Sequence, residues 1–295
     1  MLNLPDTRSL MALAAVLRTG SFESAAHELS VTPSAISQRI KALEEEIGAA
    51  LIKRGPPATA TPTGARLHRH AEEIALLESA LAKDLGKAPA ASHIKIATSA
   101  DSLSTWLLPA LAGQDDLFFE LVVDDQDHSA DWLRRGEVQA AITAHPTPVQ
   151  GSDCVALGNF RYIASASPAF LHRYFPDGVT EHALEAAPAL LFNTKDRLQI
   201  LWAKRQFGRA LRFSSHQLPS SRGFVDAALL GMGWGMNPEP LIRDHLAKGT
   251  LVPLIPETPL DVPLFWQCNR RIAPAIAPLT RAIRDAAKGA LQPPS

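Results

Sequence analysis

Two groups of side chains in this chain have types and spacings suited to recognition chemistry. The first lies between Ser34 and Lys41, where Ser34, Ser37, Gln38, Arg39 and Lys41 offer a polar face opposite Ile36, Ile40, Leu43 and Ile47. Glutamine and arginine can make paired hydrogen bonds to adenine and guanine edges, and serine reaches bases or phosphates. The second group is acidic: Asp101, two residues beyond Ser99, and then Asp124, Asp125 and Asp127 in the stretch Val123-Asp124-Asp125-Gln126-Asp127-His128. For any one of these aspartates a helix cap or a solvated charge is the plainer role. Three acids within four positions exceed what a cap needs, and such a cluster can hold a cationic side chain or an ammonium.

The elements that must position the first group are two short helices meeting at a tight corner. Ser21 is a good N-cap, with Glu23 and Ser24 in the first turn where polar and negative groups suit exposed amides. Phe22, Ala25, Ala26 and Leu29 form one apolar stripe, and the paired alanines let a second helix approach closely. Ser30-Val31 makes the corner. Thr32 caps the next helix, and Pro33 takes its first position, where a missing N–H costs nothing. The inward residues then recur at four-, three- and four-residue steps until Gly48 ends the helix. This is a helix-turn-helix pattern, although two capped helices alone also suit an ordinary helical hairpin.

The segment Gly20-Ser21-Phe22, Ala25-Ala26, Leu29, Thr32-Pro33-Ser34-Ala35-Ile36-Ser37, Ile40, Leu43-Glu44, Gly48, Leu51-Ile52 and Arg54 resembles the N-terminal domain of LysR-type transcriptional regulators almost position for position. The resemblance implies double-stranded promoter or operator DNA as a partner. It implies a wing near Leu51–Thr61 and a long linker helix starting at Thr61-Pro62-Thr63-Gly64-Ala65. The DNA-contacting set that follows is Ser21, Thr32, Ser34, Ser37, Gln38, Arg39, Lys41, Lys53 and Arg54. One departure is visible: the wing reads Arg54-Gly55-Pro56-Pro57-Ala58-Thr59, less basic than in many members, so phosphate contacts there rest on Lys53, Arg54 and backbone amides.

Composition sets bounds. A length of 295 residues suggests two or three domains, and 46% hydrophobic residues can fill their cores. The net charge is −1, and residues 1–88 hold ten Lys/Arg against ten Asp/Glu. Attraction to DNA must therefore come from local placement, with Arg39, Lys41, Lys53, Arg54, Arg66 and Arg69 toward the duplex and Glu44–Glu46 turned elsewhere. There is no apolar run of membrane-spanning length and no basic segment leading into an apolar core, so a cytoplasmic protein without membrane contact is expected. Cys154 and Cys268 are flanked by apolar residues and read as buried free thiols rather than a disulfide, metal site or redox switch.

From Pro62 to about Leu85 the pattern is one long amphipathic helix, with Leu67, Ala71, Ile74, Leu77, Leu81 and Leu85 in a near-heptad seam. Nothing in the chain is obviously placed to cover that seam. A second copy would cover it, and a homodimer would present two reading heads to two half-sites. Packing on the chain's own C-terminal part is the competing reading. Family members often pair two dimers, and RNA polymerase is a further partner if the protein activates transcription. Residues 86–92 form a small-residue hinge.

From His93 the texture alternates. Ile94–Thr98, Phe118–Val123 and Val138–Thr143 read as strands, with helices at Ser102–Leu111 and Ala130–Arg135, a βαβαβ unit with a parallel sheet. A second unit has strands near Arg161–Ala164, Ala189–Phe192, Trp234–Met236 and Leu251–Leu254, and helices at Ser167–Tyr174, Arg197–Phe207 and Gly223–Leu230. Strand Val262–Gln267 and helix Ala275–Leu291 return to the first unit. The alternation shows only an α/β class; the resemblance implies the two-lobed fold of periplasmic binding proteins. The expected architecture is a winged helix-turn-helix at 1–61, linker and hinge at 62–91, effector lobe I at 92–162 and 263–295, and lobe II at 163–262.

In open α/β sheets small ligands bind beyond the carboxyl ends of strands. Ser99 and Ser102, after the first strand, can hydrogen-bond a carboxylate, and Asp101 suits an ammonium on the same ligand. Asp124 and Asp125 follow the next strand. A zwitterion with an extra positive charge fits both places. The runs from Ala100 to Pro109, Asp125-Gln126-Asp127-His128 through Val138, Phe192-Asn193-Thr194-Lys195-Asp196, and Gly231 to Met236 are similar to the LysR branch that senses lysine and arginine and controls basic amino-acid export or related metabolism. That resemblance implies a basic amino-acid effector and adds Asn193 and Trp234 to Ser99, Asp101, Ser102, Asp124 and Asp125. Gly231–Gly235 suits close approach to a ligand or a tight packed turn equally, while Trp106 reads as core.

A DNA-organising protein without effector response stays open beside the ligand-switched regulator. An enzyme is disfavoured: there is no Gly-x-Ser-x-Gly elbow, Gly-rich phosphate loop or His/Cys metal spacing, and no catalytic residue, cofactor or metal is expected.

Overall fold

The computed structural model describes residues 5–125 and 127–294; Gln126, within the acidic stretch above, lies outside the described residues. The chain divides into two compact units: residues 1–94 with 116–118 and 274–276, and the remainder.

The first unit opens with α1 (Thr7–Thr19), a helix that precedes the stretch read from sequence. Asp6 caps it, accepting hydrogen bonds from the Arg8 and Ser9 amides, and Gly20 closes it in the left-handed region. Helices α2 (Phe22–Glu28) and α3 (Pro33–Ile47) start at Ser21 and Thr32, whose hydroxyls accept the amides of Ser24 and Ala35. Ser30 takes a φ of 52° at the corner between them. Leu13, Val16, Ala25, Ala26, Ile36, Ile40 and Leu43 form one core, closed below by Leu51, Ile52 and Ala58. The last three belong to or flank the wing, β1 (Ile52–Lys53) paired antiparallel with β2 (Thr59–Ala60).

Helix α4 (Pro62–Asp84) starts at a Thr61 cap. Gly64 in its first turn lies so close to the wing that a Cβ there would stand 1.9 Å from the Leu51 carbonyl oxygen. The apolar seam of α4 is divided. Its first half is covered by α1, where Leu10 and Ala14 bury Ala71 with Met11, Leu67 and Ile74 alongside. This corrects the expectation that nothing in the chain covers the seam: α1, unread in the sequence, supplies the cover. The second half, Leu77, Leu81 and Leu85, is 42%, 57% and 62% exposed.

The second unit rests on a mixed sheet. Strand β3 (Ser92–Thr98) leads into a helical segment in which α5 (Ala100–Ser102) passes through a π-helical turn, Leu103–Leu107, into α6 (Leu108–Ala112). Next come β4 (Leu117–Val123), α7 (Ser129–Arg135), β5 (Ala140–Thr143) and the 15-residue β6 (Ser152–Ala166). Lobe II contributes α8 (Pro168–Tyr174), α9 (Glu181–Ala186), β7 (Ala189–Leu191), α10 (Leu198–Phe207), β8 (Ser215–Gln217), α11 (Ser221–Leu229), β9 (Gly235–Pro238), α12 (Glu239–Ala247) and β10 (Val252–Pro253). Strand β11 (Leu260–Asn269) and helix α13 (Ala277–Ala290) complete the fold.

The sheet runs β10-β6-β11-β5-β3-β4, with β9 on β6. β3 and β5 are parallel, while β11 lies antiparallel to β5 and β6. One end of β6 pairs β11, and its other end pairs β9 and β10. Strands β6 and β11 are thus the two crossing strands that carry the chain between lobes. The strand expected at Arg161–Ala164 is only the far part of β6; α9, β8 and α12 are elements that the sequence reading did not include. Both cysteines are free. Cys154 stands opposite Gln267 and Cys268 opposite Asp153, so the two thiols point to opposite faces of the sheet and cannot bridge.

Candidate functional site

On the first unit, burial of Ile36, Ile40 and Leu43 turns Ser34, Gln38 and Lys41 outward, with Ser37 and Arg39 half-covered. Thr32 and Ser34 share a 3.0 Å hydrogen bond at the start of α3. Ser21, Ser37 and Arg54 line one depression with Phe22, Gly55 and Pro56, which brings the start of α2, α3 and the wing together. The Arg54 guanidinium lies 5.7 Å above the Phe22 ring, and Lys53 is exposed beside it. Glu44 does not join this face. Its Oε1 accepts the amides of Leu51 at 2.8 Å and Ile52 at 3.2 Å, fixing the wing to α3. Of the expected DNA-contacting set, Ser21, Ser37 and Arg54 line this depression and Ser34, Gln38, Lys41 and Lys53 are exposed; Arg39 instead lies within electrostatic reach of Asp6 before α1, and Ser21 and Thr32 spend their hydroxyls partly as caps.

In the second unit the loops after β3 and β4 emerge side by side, joined by a hydrogen bond from the Asp124 amide to the Thr98 carbonyl. They open on a cavity of about 510 Å³, solvent at its mouth included, lined by Ser99, Asp101, Asp124, Asp125, Tyr162, Asp196 and Ser221. Phe192, Leu198, Phe224, Met236 and Pro238 supply its apolar walls.

Each carboxylate has its own setting. Asp101 accepts the Tyr162 hydroxyl at 2.9 Å and the Ser221 hydroxyl at 2.6 Å. Burial pushes its carboxyl above the ordinary range against those two hydrogen bonds, and the charges of Asp196 and Asp125 push the same way. Asp196 is raised by burial although the Phe192 and Leu198 amides and Gln199 donate to it. Asp125 is raised by burial too, against the hydrogen bond from the Asp127 amide, with the charges of Asp127 and Asp196 adding to the rise and His128 opposing it. Asp124 is the exception. Burial works against its charge, but hydrogen bonds from Lys195 Nζ at 2.8 Å and Trp132 Nε1 at 2.9 Å outweigh it and hold the carboxyl low.

Three expected residues stand elsewhere. Ser102 is buried with its amide and hydroxyl both turned to Ser99 Oγ, so the two serines serve the helix start before any ligand carboxylate. Asn193 shapes its own loop, its Oδ1 accepting the Lys195 amide at 2.7 Å, and does not line the cavity. Trp234 is fully buried between Trp202 and Phe213. Gly233 and Gly235 are pressed against Leu190 and Phe224, where a Cβ would stand 2.9 and 2.5 Å away. That segment is the tight packed turn, and its bulk faces core. Trp106 is buried, as its apolar neighbours suggest.

Sequence reasoning missed Asp196, Ser221 and Tyr162. Asp196 follows a strand that the sequence did reveal, so the rule applied to Asp124 would have found it. Ser221 sits at a helix start two residues earlier than expected. Tyr162 lies within β6 and carries no local signal.

A winged helix-turn-helix joined to a two-lobed domain with an acidic cleft defines a ligand-sensing class of transcriptional regulator, and this chain belongs to the LysR family. Residues 7–65 match the bacterial regulatory helix-turn-helix protein, lysR family, and residues 87–288 match the LysR substrate binding domain. Among curated relatives it is 44% identical over 286 residues to the transcriptional regulator LysG of Mycobacterium tuberculosis (96% of this chain, 94% of that protein). It is 39% identical over 281 residues to ArgP of Pseudomonas aeruginosa, covering 93% of each. Among solved structures, ArgP from Mycobacterium tuberculosis superposes with a TM-score of 0.81 at 42% identity over the whole of both chains. Full-length LysG from Corynebacterium glutamicum with the bound effector Arg gives 0.69 at 37% identity, covering 98% of this chain and 100% of that one. The chain is a LysG/ArgP-like, DNA-binding regulator of the LysR type.

Proposed function

We propose that this protein is a cytoplasmic, non-enzymatic transcriptional regulator that binds promoter DNA as a homodimer and is switched by arginine or lysine, controlling export or metabolism of basic amino acids. The observation that carries the effector is the cleft: three carboxylates, Asp101, Asp125 and Asp196, that pair with no lysine or arginine among the described residues and face one small cavity with apolar walls. Burying like charges this way costs free energy that a cation with an aliphatic stem offsets. The arginine bound to the related corynebacterial LysG has that chemistry.

The switch follows from where the ligand sits. Asp101, Asp124 and Asp125 belong to lobe I, and Ser221 and Asp196 to lobe II, so a ligand held by both sets biases how the lobes stand. DNA is read by Ser34, Ser37, Gln38 and Arg39, and positioned by Ser21, Thr32, Lys41, Lys53 and Arg54. The domain limits are 1–61, 62–91, 92–162 with 263–295, and 163–262. Leu77, Leu81 and Leu85 form the dimer seam, pairs of dimers assemble as in many relatives, and RNA polymerase is the partner at activated promoters.

Thermal unfolding of the purified protein against all twenty amino acids tests the effector. A ligand at one hundred times its Kd adds about 2.7 kcal/mol, so arginine or lysine alone should raise the Tm. A panel in which neither does so would remove this effector class.

A further inference from the structure

Asp124 differs from the other cleft carboxylates in holding a cation already. Its Oδ1 accepts Lys195 Nζ at 2.8 Å and its own neighbour's amide at 2.8 Å, while Oδ2 accepts Trp132 Nε1 at 2.9 Å. Asp124 stands at the end of β4 in lobe I, and Lys195 on the loop between β7 and α10 in lobe II, so this ion pair crosses the cleft. The Asp124 side chain is 18% exposed and lines the cavity, whereas the Lys195 side chain is 46% exposed and lies outside the lining. The carboxylate is therefore fixed from two sides by Trp132 and a backbone amide, and the ammonium reaches it from the solvent side on a flexible stem.

We propose that Lys195 is a built-in competitor for the cationic end of the effector, an intramolecular ammonium that neutralises Asp124 in the empty cleft and that a guanidinium or ammonium must displace on entry. This rests on the basic amino-acid reading given above and names a residue that sets the threshold of that site. An anchored carboxylate facing a half-exposed lysine suits exchange of one cation for another. Lysine is a point charge on a four-carbon stem and leaves at small cost, whereas arginine can engage a carboxylate with two parallel N–H groups. The neighbouring loop supports the same view: Asn193 Oδ1 accepts the Lys195 amide, so the backbone is held independently of the contact its ammonium makes.

The test is calorimetric titration of the full chain with arginine and with lysine, comparing wild type, Lys195→Met, Lys195→Arg and Arg197→Gln. Half-exposed pairs are weak, so releasing Asp124 should tighten binding of both amino acids about three- to fivefold in Lys195→Met. Lys195→Arg, which keeps the cation, should not show that gain. Arg197 is exposed two residues away, and its substitution removes one positive charge without touching Asp124, so it should leave affinity unchanged. Equal or weaker binding by Lys195→Met, or an equal gain from Arg197→Gln, would overturn the competitor assignment while leaving the effector class standing. Absence of binding to wild type and Lys195→Met alike would overturn both.

Discussion

The hydroxyl of Ser221 donates a 2.6 Å hydrogen bond to Oδ1 of Asp101, a residue 120 positions earlier in the chain. The contact ties the first residue of α11 in lobe II to the first turn of the helical segment after β3 in lobe I. The other oxygen of the same carboxylate takes the Tyr162 hydroxyl from crossing strand β6. One buried carboxylate thus stands where both lobes and a crossing strand meet, and it can report the arrival of a cation to all three.

Asp101→Asn follows directly. Burial holds the Asp101 carboxyl above its ordinary range, so the folded protein binds that proton more tightly than the unfolded chain does. Ionised Asp101 therefore weakens the fold at neutral pH, and the loss is relieved as pH falls through the raised folded value. The empty Asp101→Asn protein should melt higher than wild type at pH 7, with the gap closing as the pH is lowered. Its arginine or lysine affinity should fall by about 2–5 kcal/mol, the range for removing one partner of a buried charge pair. Parallel melting curves across pH with and without the amino acid check both halves.

Gln38 and Arg54 separate reading from positioning. Gln38 is exposed on α3 and has a side chain suited to adenine. Gln38→Ala should cost about 1–3 kcal/mol on an operator and little on random DNA. Arg54, on the wing, should contribute a phosphate contact: Arg54→Ala should weaken both DNAs alike and lower the salt slope by about one. Binding isotherms on the two DNAs at several salt concentrations distinguish the roles. Equal losses on both DNAs for Gln38→Ala would show that it contacts no base.

Gly64 tests the seat of the wing. A Cβ at this position would fall 1.9 Å from the Leu51 oxygen and 2.8 Å from its carbonyl carbon, both main-chain atoms that no rotamer can clear. Gly64→Ala must shift either α4 or β1. Such overpacking costs about 1–3 kcal/mol, and moving the wing should also weaken DNA binding. Chemical denaturation and a DNA titration of the same preparation measure the two effects; wild-type values in both would mean that the first turn of α4 yields freely.

Local signals made much of this architecture legible. The caps Ser21 and Thr32 and the stop at Gly48 sit where the sequence placed them, because capping depends on a side chain and amides two or three residues away. Asp101, Asp124 and Asp125 line one cavity, as their places after strand ends suggest, because strand ends are local as well. What escaped depends on distance. Tyr162 and Ser221 reach Asp101 only through the crossing of β6 and the docking of α11. Trp234 was drawn toward the cleft by its glycine-rich surroundings, but Trp202 and Phe213 claim it for the core. The cover on the first half of α4 comes from α1, whose role depends on packing rather than on pattern.

The division of α4 gives the last prediction. Leu67, Ala71 and Ile74 are satisfied by α1, so substitutions there should act on the fold of the first unit. Leu77, Leu81 and Leu85 continue the same seam but stand 42–62% exposed, a stripe of large apolar side chains at dimer-like spacing. Charge placed on this stripe should disrupt association while sparing the monomer's core. Leu81→Glu, the middle position, is expected to shift sedimentation toward the monomer and to reduce operator affinity by at least tenfold, through loss of the second reading head. Its Tm at low protein concentration, where wild type also dissociates, should stay near the wild-type value. Ala71→Glu should behave in the opposite way, lowering the Tm at every concentration because Ala71 is fully buried against Leu10 and Ala14. A Leu81→Glu protein that still sediments as a dimer would move the interface off α4.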